Sequence, residues 1–179
     1  NPMLWEAIKN GFMGSSIAQE ISSGTKLYIT KIDAGSIDTL NYDKLWWTTT
    51  ETSEDGKEVE TILGVENFDE FRYFTAAKTD SELFRNNPVL KSIVLPGGWV
   101  EIPKFSFSGC TSLEQVEINS GSNEGIIVGI EAFNRCNNLR EINFWERIKE
   151  IHMSAFYQCN SLENLTFSNN LTQIGHRAF

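Results

Sequence analysis

Ala132-Phe-Asn-Arg-Cys-Asn-Asn-Leu139 returns 23 residues later as Ala155-Phe-Tyr-Gln-Cys-Asn-Ser-Leu162. The pair belongs to a longer series. Phe84, Phe107, Phe133, Phe156 and Phe179 are separated by 23, 26, 23 and 23 residues. Leu90, Leu113, Leu139 and Leu162 each follow one of the first four by six residues. Cys110, Cys136 and Cys159 stand three residues before the last three of these leucines, and Asn87 takes the Cys place in the first unit. The 26-residue unit holds three extra residues, most simply within the loop-like Ser120–Gly125. So many coincidences mark an internal repeat, whose units stack because none can bury its apolar row alone.

A 23-residue period lies in the range of leucine-rich repeats. Each unit carries a strand signature: Leu90-x-x-Ile93-x-Leu95, Leu113-x-x-Val116-x-Ile118, Leu139-x-x-Ile142-x-Phe144 and Leu162-x-x-Leu165-x-Phe167. Except at Val94, the last two apolar positions flank a polar one, as a half-buried strand requires. The second half of the unit departs from the common leucine-rich pattern. Apolar residues lie eight and five before Phe: Trp99 and Ile102, Ile148 and Ile151, Leu171 and Ile174. The long unit keeps Val128 and has Gly125 at the outer place. Ala132, Ala155 and Ala178 then precede a Phe, which suits a short turn or helix against the next rung.

Two stretches carry a family resemblance. Ile151-His-Met-Ser-Ala-Phe-Tyr-Gln-Cys-Asn-Ser-Leu162 resembles the BspA-like type of leucine-rich repeat. Asn67-Phe-Asp-Glu-Phe-Arg-Tyr-Phe-Thr75 resembles the segment that leads into such arrays. The resemblance covers roughly residues 67–179. It implies secreted or surface-anchored proteins of host-associated anaerobes, some of them adhesins for host proteins. The spacing itself implies only a solenoid.

Residues 1–66 stand outside the repeat. Pro2 suits a helix start, Leu4, Ala7, Ile8 and Phe12 recur at helical spacing, and Gly11 and Gly14 should end that helix. Lys26–Ile32 alternates weakly like a strand, Trp46–Thr50 is rich in strand formers, and Glu51–Glu60 reads as a loop or hairpin tip. Phe68, Phe71 and Phe74 predict a short helix with one aromatic face. Because a first rung exposes its core, the segment is read as a cap, with a separate small domain as the alternative. Ser22–Leu27 lacks the spaced carboxylates that calcium needs. The expected fold is an α/β, leucine-rich-repeat-like right-handed solenoid of about four 23-residue rungs (residues 67–179) behind an irregular, partly helical cap (residues 1–66).

Charge narrows the partners. The chain carries −9, of which −7 falls in residues 1–80. An acidic chain without a basic stripe disfavours nucleic acid and anionic membrane surfaces. No apolar run reaches the roughly 18 residues of a membrane helix, so no membrane insertion is expected. No basic start followed by an apolar stretch is present, so no signal peptide is read here, and nothing about secretion follows.

Catalysis finds little support. The cysteines are 26 and 23 residues apart, whereas zinc sites pair them two to four apart. Sharing one place per rung, they are read as a buried row of small apolar groups. A disulfide between neighbouring rungs, with one thiol left over, is the alternative. His152 and His176 are not repeat-equivalent, no legible motif places an acid beside either, and both are read as surface or turn residues. No nucleophile, base and orienter converge, no phosphate loop of known spacing appears, and neither metal nor cofactor is expected. Asn164-Leu-Thr166 and Asn170-Leu-Thr172 match a glycosylation triplet that is common by chance.

The strand faces point instead to binding. Ser92, Val94, Gln115, Glu117, Glu141, Asn143, Asn164 and Thr166 should point outward together and line one face of the sheet. Trp145, just past a strand, is read as an exposed anchor, and one of Trp46 and Trp47 as open. The expected function is a non-catalytic, cell-surface or secreted binding or adhesion module. Its expected partner is a protein, a host extracellular-matrix protein among the candidates, or a glycan. The alternative is a spacer or self-associating scaffold that pairs through the rung beginning at Phe179.

Overall fold

A computed structural model describes residues 2–9, 42–75, 81–120 and 123–179. In chain order these form α1 (Pro2–Lys9), β1 (Trp46–Thr52), β2 (Glu58–Gly64), β3 (Asn67–Phe68), β4 (Ser92–Leu95), β5 (Glu101–Ile102), β6 (Gln115–Ile118), β7 (Ile126–Val128), β8 (Glu141–Ile142), β9 (Ile148–Ile151) and β10 (Gln173–Ile174). From β3 onward the chain is a β-solenoid of about four turns built from two parallel sheets. One has the order β3-β4-β6-β8 and the other β5-β7-β9-β10.

Register follows the repeat. Ile93 pairs with Val116 and Val116 with Ile142, so equivalent apolar residues superpose and are buried. On the second sheet Ile102, Val128, Ile151 and Ile174 form a matching row. The second half of each unit is therefore partly strand. No α-helix occurs among the described residues of the solenoid, only the 3-10 helices Asp69–Tyr73 and Trp145–Arg147. The expected α/β class is thus corrected to a β-solenoid.

The extra residues of the long unit lie in the connection between β6 and β7, and the rung after it carries a bulge. Ile126 pairs with Ile148 and Ile127 with Glu150, which leaves Lys149 without a partner on β7. That shift puts Ile126, not Gly125, at the outer apolar place, where it is fully buried. The strand expected at Leu165 and Phe167 does not form. Residues 162–167 are irregular, Asn164 has φ 55°, and Leu165 and Phe167 are each 40% exposed. The reason lies one rung earlier. β8 stops after two residues, and the 3-10 helix Trp145–Arg147 turns the chain away, so a fifth strand has no template of full length.

A third ladder joins the rungs at their turns. Glu82, Phe105, Glu131, Ser154 and Arg177, each two residues before a repeat Phe, have positive φ. So do Asn86, Gly109, Arg135 and Gln158, two residues after one. Left-handed backbone costs a non-glycine residue about 1–2 kcal/mol. The same geometry turns alternate N–H groups toward the next rung. Phe84, Phe107, Phe133 and Phe156 donate to the carbonyls of Ser106, Ala132, Ala155 and Ala178 at 2.6–2.8 Å. Asn86, Gly109 and Arg135 donate likewise to Ser108, Asn134 and Tyr157, each at 2.8 Å.

Inside this ladder the phenylalanines stack. Successive rings from Phe84 to Phe179 have centroids 5.0, 5.1, 5.2 and 5.5 Å apart and planes within 10° of parallel. Beside them the thiols of Cys110, Cys136 and Cys159 donate to the carbonyls of Phe84, Phe107 and Phe133 at 2.9–3.0 Å. Asn87 replaces the thiol in the first unit, where its Oδ1 accepts from the N–H groups of Val89 and Leu90.

Ahead of the solenoid, β1 and β2 form an antiparallel hairpin that is largely exposed. The strands run to Thr52 and from Glu58, so the expected tip narrows to a turn around Gly56 at φ 79°. The hairpin and α1 are the regular elements described before β3, together with the 3-10 helix Tyr42–Leu45. A helical cap is therefore not borne out. Ala7, Leu45 and Val65 join the solenoid core, and the Tyr42 ring meets Phe84 edge-on at 4.8 Å. Phe68, Phe71 and Phe74 are buried, with Phe71 and Tyr73 in the 3-10 helix Asp69–Tyr73. The expectations on Gly11, Phe12, Gly14, Ser22–Leu27 and Lys26–Ile32 lie outside the described residues.

Phe133 is fully buried between two stacked neighbours. Phe133→Ala should lower stability by about 3–5 kcal/mol, and Phe133→Leu by less, in urea denaturation. A loss below about 1 kcal/mol for the alanine variant would deny the stack its structural role.

Candidate functional site

The first sheet presents polar side chains because its apolar residues are already committed inward. Asn67, Ser92, Gln115 and Glu141 form one outward row by register. Val94 and Glu117 are paired in the next row, and Asn143 follows one rung on. The Ser92 hydroxyl donates to Asn67 Oδ1 at 2.9 Å, and Gln115 Nε2 donates to Glu117 Oε1 at 2.7 Å. Glu141 and Asn143 are exposed, while Ser92, Gln115 and Glu117 are half-buried.

Several predicted positions are corrected. Val94 is only 5% exposed and lies outside the core cluster, on the side of β4 where the groove lined by Arg72 lies. Trp145 is 7% exposed, packed against Phe156 at 5.2 Å and edge-on to Phe167 at 5.8 Å, so it is core and not a free anchor. Asn164 and Thr166 are exposed but belong to no strand, so they do not extend the rows. Trp46 is half-buried, and the side chain of Trp47 lies outside the described part.

The sheet face ends in a groove that the sequence did not announce. About 440 Å³ of open cavity is lined by Arg72, Val94, Glu117, Asn119, Asn143 and Arg147, with Ile118, Ser120, Asn123 and Phe144 completing it. The two 3-10 helices supply its arginines. Arg72 Nε donates to the Asp69 carbonyl at 2.7 Å, with Asp69 Oδ2 3.8 Å from Nη2. Arg147 Nε and Nη2 both donate to the Glu124 carbonyl at 3.2 Å. Asn143 has a structural duty as well. Its Oδ1 accepts from the Ile118 N–H at 2.8 Å, in place of the backbone ladder that β8 no longer provides.

The thiols and imidazoles do not assemble a catalytic set. All three cysteines are free. Burial pushes the Cys110 thiol up to about 12 and the Cys136 thiol well above its usual value. His152 Nε2 lies 3.2 Å from Glu150 Oε2, an acid partner that the sequence reading missed. In a strand, residues two apart share a face, and that was the available signal. His176 is exposed. Among the described residues no group of three His, Cys, Asp or Glu could hold a metal, and no helix is long and apolar enough to cross a membrane.

Fold and site together define a repeat solenoid with a regular polar sheet face. The family model of the BspA type leucine rich repeat region (6 copies) matches residues 77–179. This chain belongs to that family. Among solved structures it is similar to a leucine rich cell surface protein from Faecalibacterium prausnitzii A2-165. The identity is 22%, the TM-score is 0.49, and the match covers 72% of this chain and 37% of that one. It is also similar to a leucine-rich repeat protein from Bacteroides ovatus ATCC 8483. There the identity is 27%, the TM-score is 0.45, and the match covers 63% of this chain and 33% of that one. The chain thus spans about a third of the length of each of these solved relatives. No curated protein matches it.

Two measurements test the site's construction. At pH 8 the Cys110 thiol, pushed up to about 12, is about one part in ten thousand thiolate, and burial raises Cys136 as well, so both should resist a thiol reagent until the chain unfolds. Half-buried Cys159 should label first, and equal labelling of all three in the native chain would contradict the buried ladder. Asn143→Ala should cost about 1–3 kcal/mol of stability by leaving the Ile118 N–H without its partner. An unchanged urea midpoint would show that this bond is dispensable.

Proposed function

We propose that the chain is a non-catalytic binding module of a bacterial cell surface that recognises a protein or a glycan through the first sheet. One observation carries the reading: Ser92, Gln115, Glu117 and Glu141 stand outward on a parallel ladder. Parallel strands are about 4.8 Å apart, so the ladder holds polar groups at fixed spacing, and solenoids commonly bind on such surfaces. Fold alone does not assign function. The surface placement comes from what the family implies, and adhesion to a host protein or sugar is the form of binding that fits it. Residues 1–66 act as the cap of residues 67–179, a role supported by the Ala7, Leu45 and Val65 contacts with the solenoid core.

The test is a binding screen of the purified chain against host extracellular-matrix proteins and a glycan panel. It includes a Gln115→Ala, Glu117→Ala, Glu141→Ala triple variant whose urea midpoint matches the parent's. Binding that falls at least about tenfold in the variant supports this face, since losing hydrogen bonds to charged groups costs about that much. Binding that survives the triple change moves the site elsewhere. A folded chain that binds nothing favours the spacer or self-associating scaffold, which sedimentation at increasing concentration would then reveal.

A further inference from the structure

Within a chain of net charge −9, the groove at the end of the sheet face is a local inversion of sign. Arg72 and Arg147 line it, and Glu117 is the one carboxylate among its lining residues. Glu117 is also engaged sideways by Gln115. Arg147 is bonded only to a backbone carbonyl, and among the described residues no carboxylate forms an ion pair with it. Structural arginines are ordinarily matched by a carboxylate, and an unmatched planar fork is suited to two parallel bonds with one. The rest of the wall is made of amides and a hydroxyl: Asn119, Asn123, Asn143 and Ser120. Its apolar floor, Val94 and Phe144, is almost wholly covered by the protein itself. The groove therefore offers the carboxylate-free fork of Arg147, the Arg72 guanidinium with Asp69 no nearer than 3.8 Å, and neutral donors and acceptors, with hardly any apolar surface for an anchoring side chain.

We propose that this groove binds a glycan through a sugar carboxylate, with Arg72 and Arg147 holding the carboxylate and Asn119, Asn143 and Glu117 meeting the hydroxyls. The proposal rests on the sheet-face reading and deepens it by naming the ligand class. A sugar acid suits the groove better than an acidic peptide for two reasons. Glu117 accepts bonds from hydroxyls but repels the second and third carboxylates that an acidic peptide brings close by. Peptide recognition also draws on aromatic or aliphatic anchors in apolar pockets, which this groove lacks. A chain of overall negative charge repels anions at long range, so binding should need the local forks and should be selective for a compact, singly charged unit.

The experiment titrates the whole chain with methyl α-galacturonide, 3′-sialyllactose, methyl α-galactoside as the carboxyl-reduced counterpart of the first, lactose and a hexaglutamate peptide. At least one acidic saccharide should bind about tenfold or more tighter than its neutral counterpart, and more weakly as salt rises. Which of the two binds distinguishes a uronic from a sialic acid. Arg147→Gln and Arg72→Gln should each weaken that binding about tenfold, Arg147→Lys should weaken it less, and Lys104→Gln, at an exposed site on the turn after β5, should leave it unchanged. Thermal unfolding of each variant confirms that the groove survives, and having two independent arginines keeps the test open if one variant misfolds. Equal affinity for the neutral counterparts, tighter binding of hexaglutamate, or no saccharide binding at all would overturn the proposal. If the chain still holds some other partner that the triple sheet-face variant loses, the sheet-face reading stands and only the ligand class is wrong.

Discussion

Every rung must sit one strand spacing from the next, and the phenylalanine column is where that constraint is met most tightly. Rings 5.0–5.5 Å apart and nearly parallel can stack only if the backbones that carry them advance by the same step. The left-handed residues on either side of each Phe serve that step. They spend conformational energy to aim N–H groups along the solenoid axis, and the bonds to the next rung offset the cost. The cysteine thiols add bonds of their own to the phenylalanine carbonyls. Two parallel sheets then form on the flanks, since the turns have already set the register.

The proposed site lies where that regularity begins and where it lapses. The first sheet is regular as far as Ile142, and its polar rows are held at fixed spacing. Beyond it Asn143 takes over the hydrogen bonds of Ile118, the chain turns through Trp145–Arg147, and a groove opens. At the other margin the 3-10 helix Asp69–Tyr73 brings Arg72 to the same groove. A perfect array would have been a flat polar face, and its irregular ends give it relief and a patch of opposite charge.

Much of this was legible in the residues. The period located every rung, because a close-packed column repeats its ring at one fixed place and a small group beside it. The alternation in Ile93–Leu95 and Val116–Ile118 located β4 and β6 and their outward partners. Trp145 misled because an aromatic after a strand has no local mark of burial. Its cover comes from Phe156 and Phe167, on a later stretch of chain. Val94 misled in the same way, and Asn164 and Thr166 because a matching strand signature cannot tell whether the preceding rung offers a template.

The sequence by itself determined the repeat, its phase, the buried column and the family, since all of these depend on which residue types recur at which spacing. Only the tertiary structure decided that the second half of each unit makes a sheet, that a bulge at Lys149 sets Ile126 opposite Ile148, and that Arg72 and Arg147, 75 residues apart in the chain, line one groove. Pattern reports the inward side of each rung because apolar burial is periodic. What stands on the outward side is set by where separate rungs end and turn, and no local spacing encodes that.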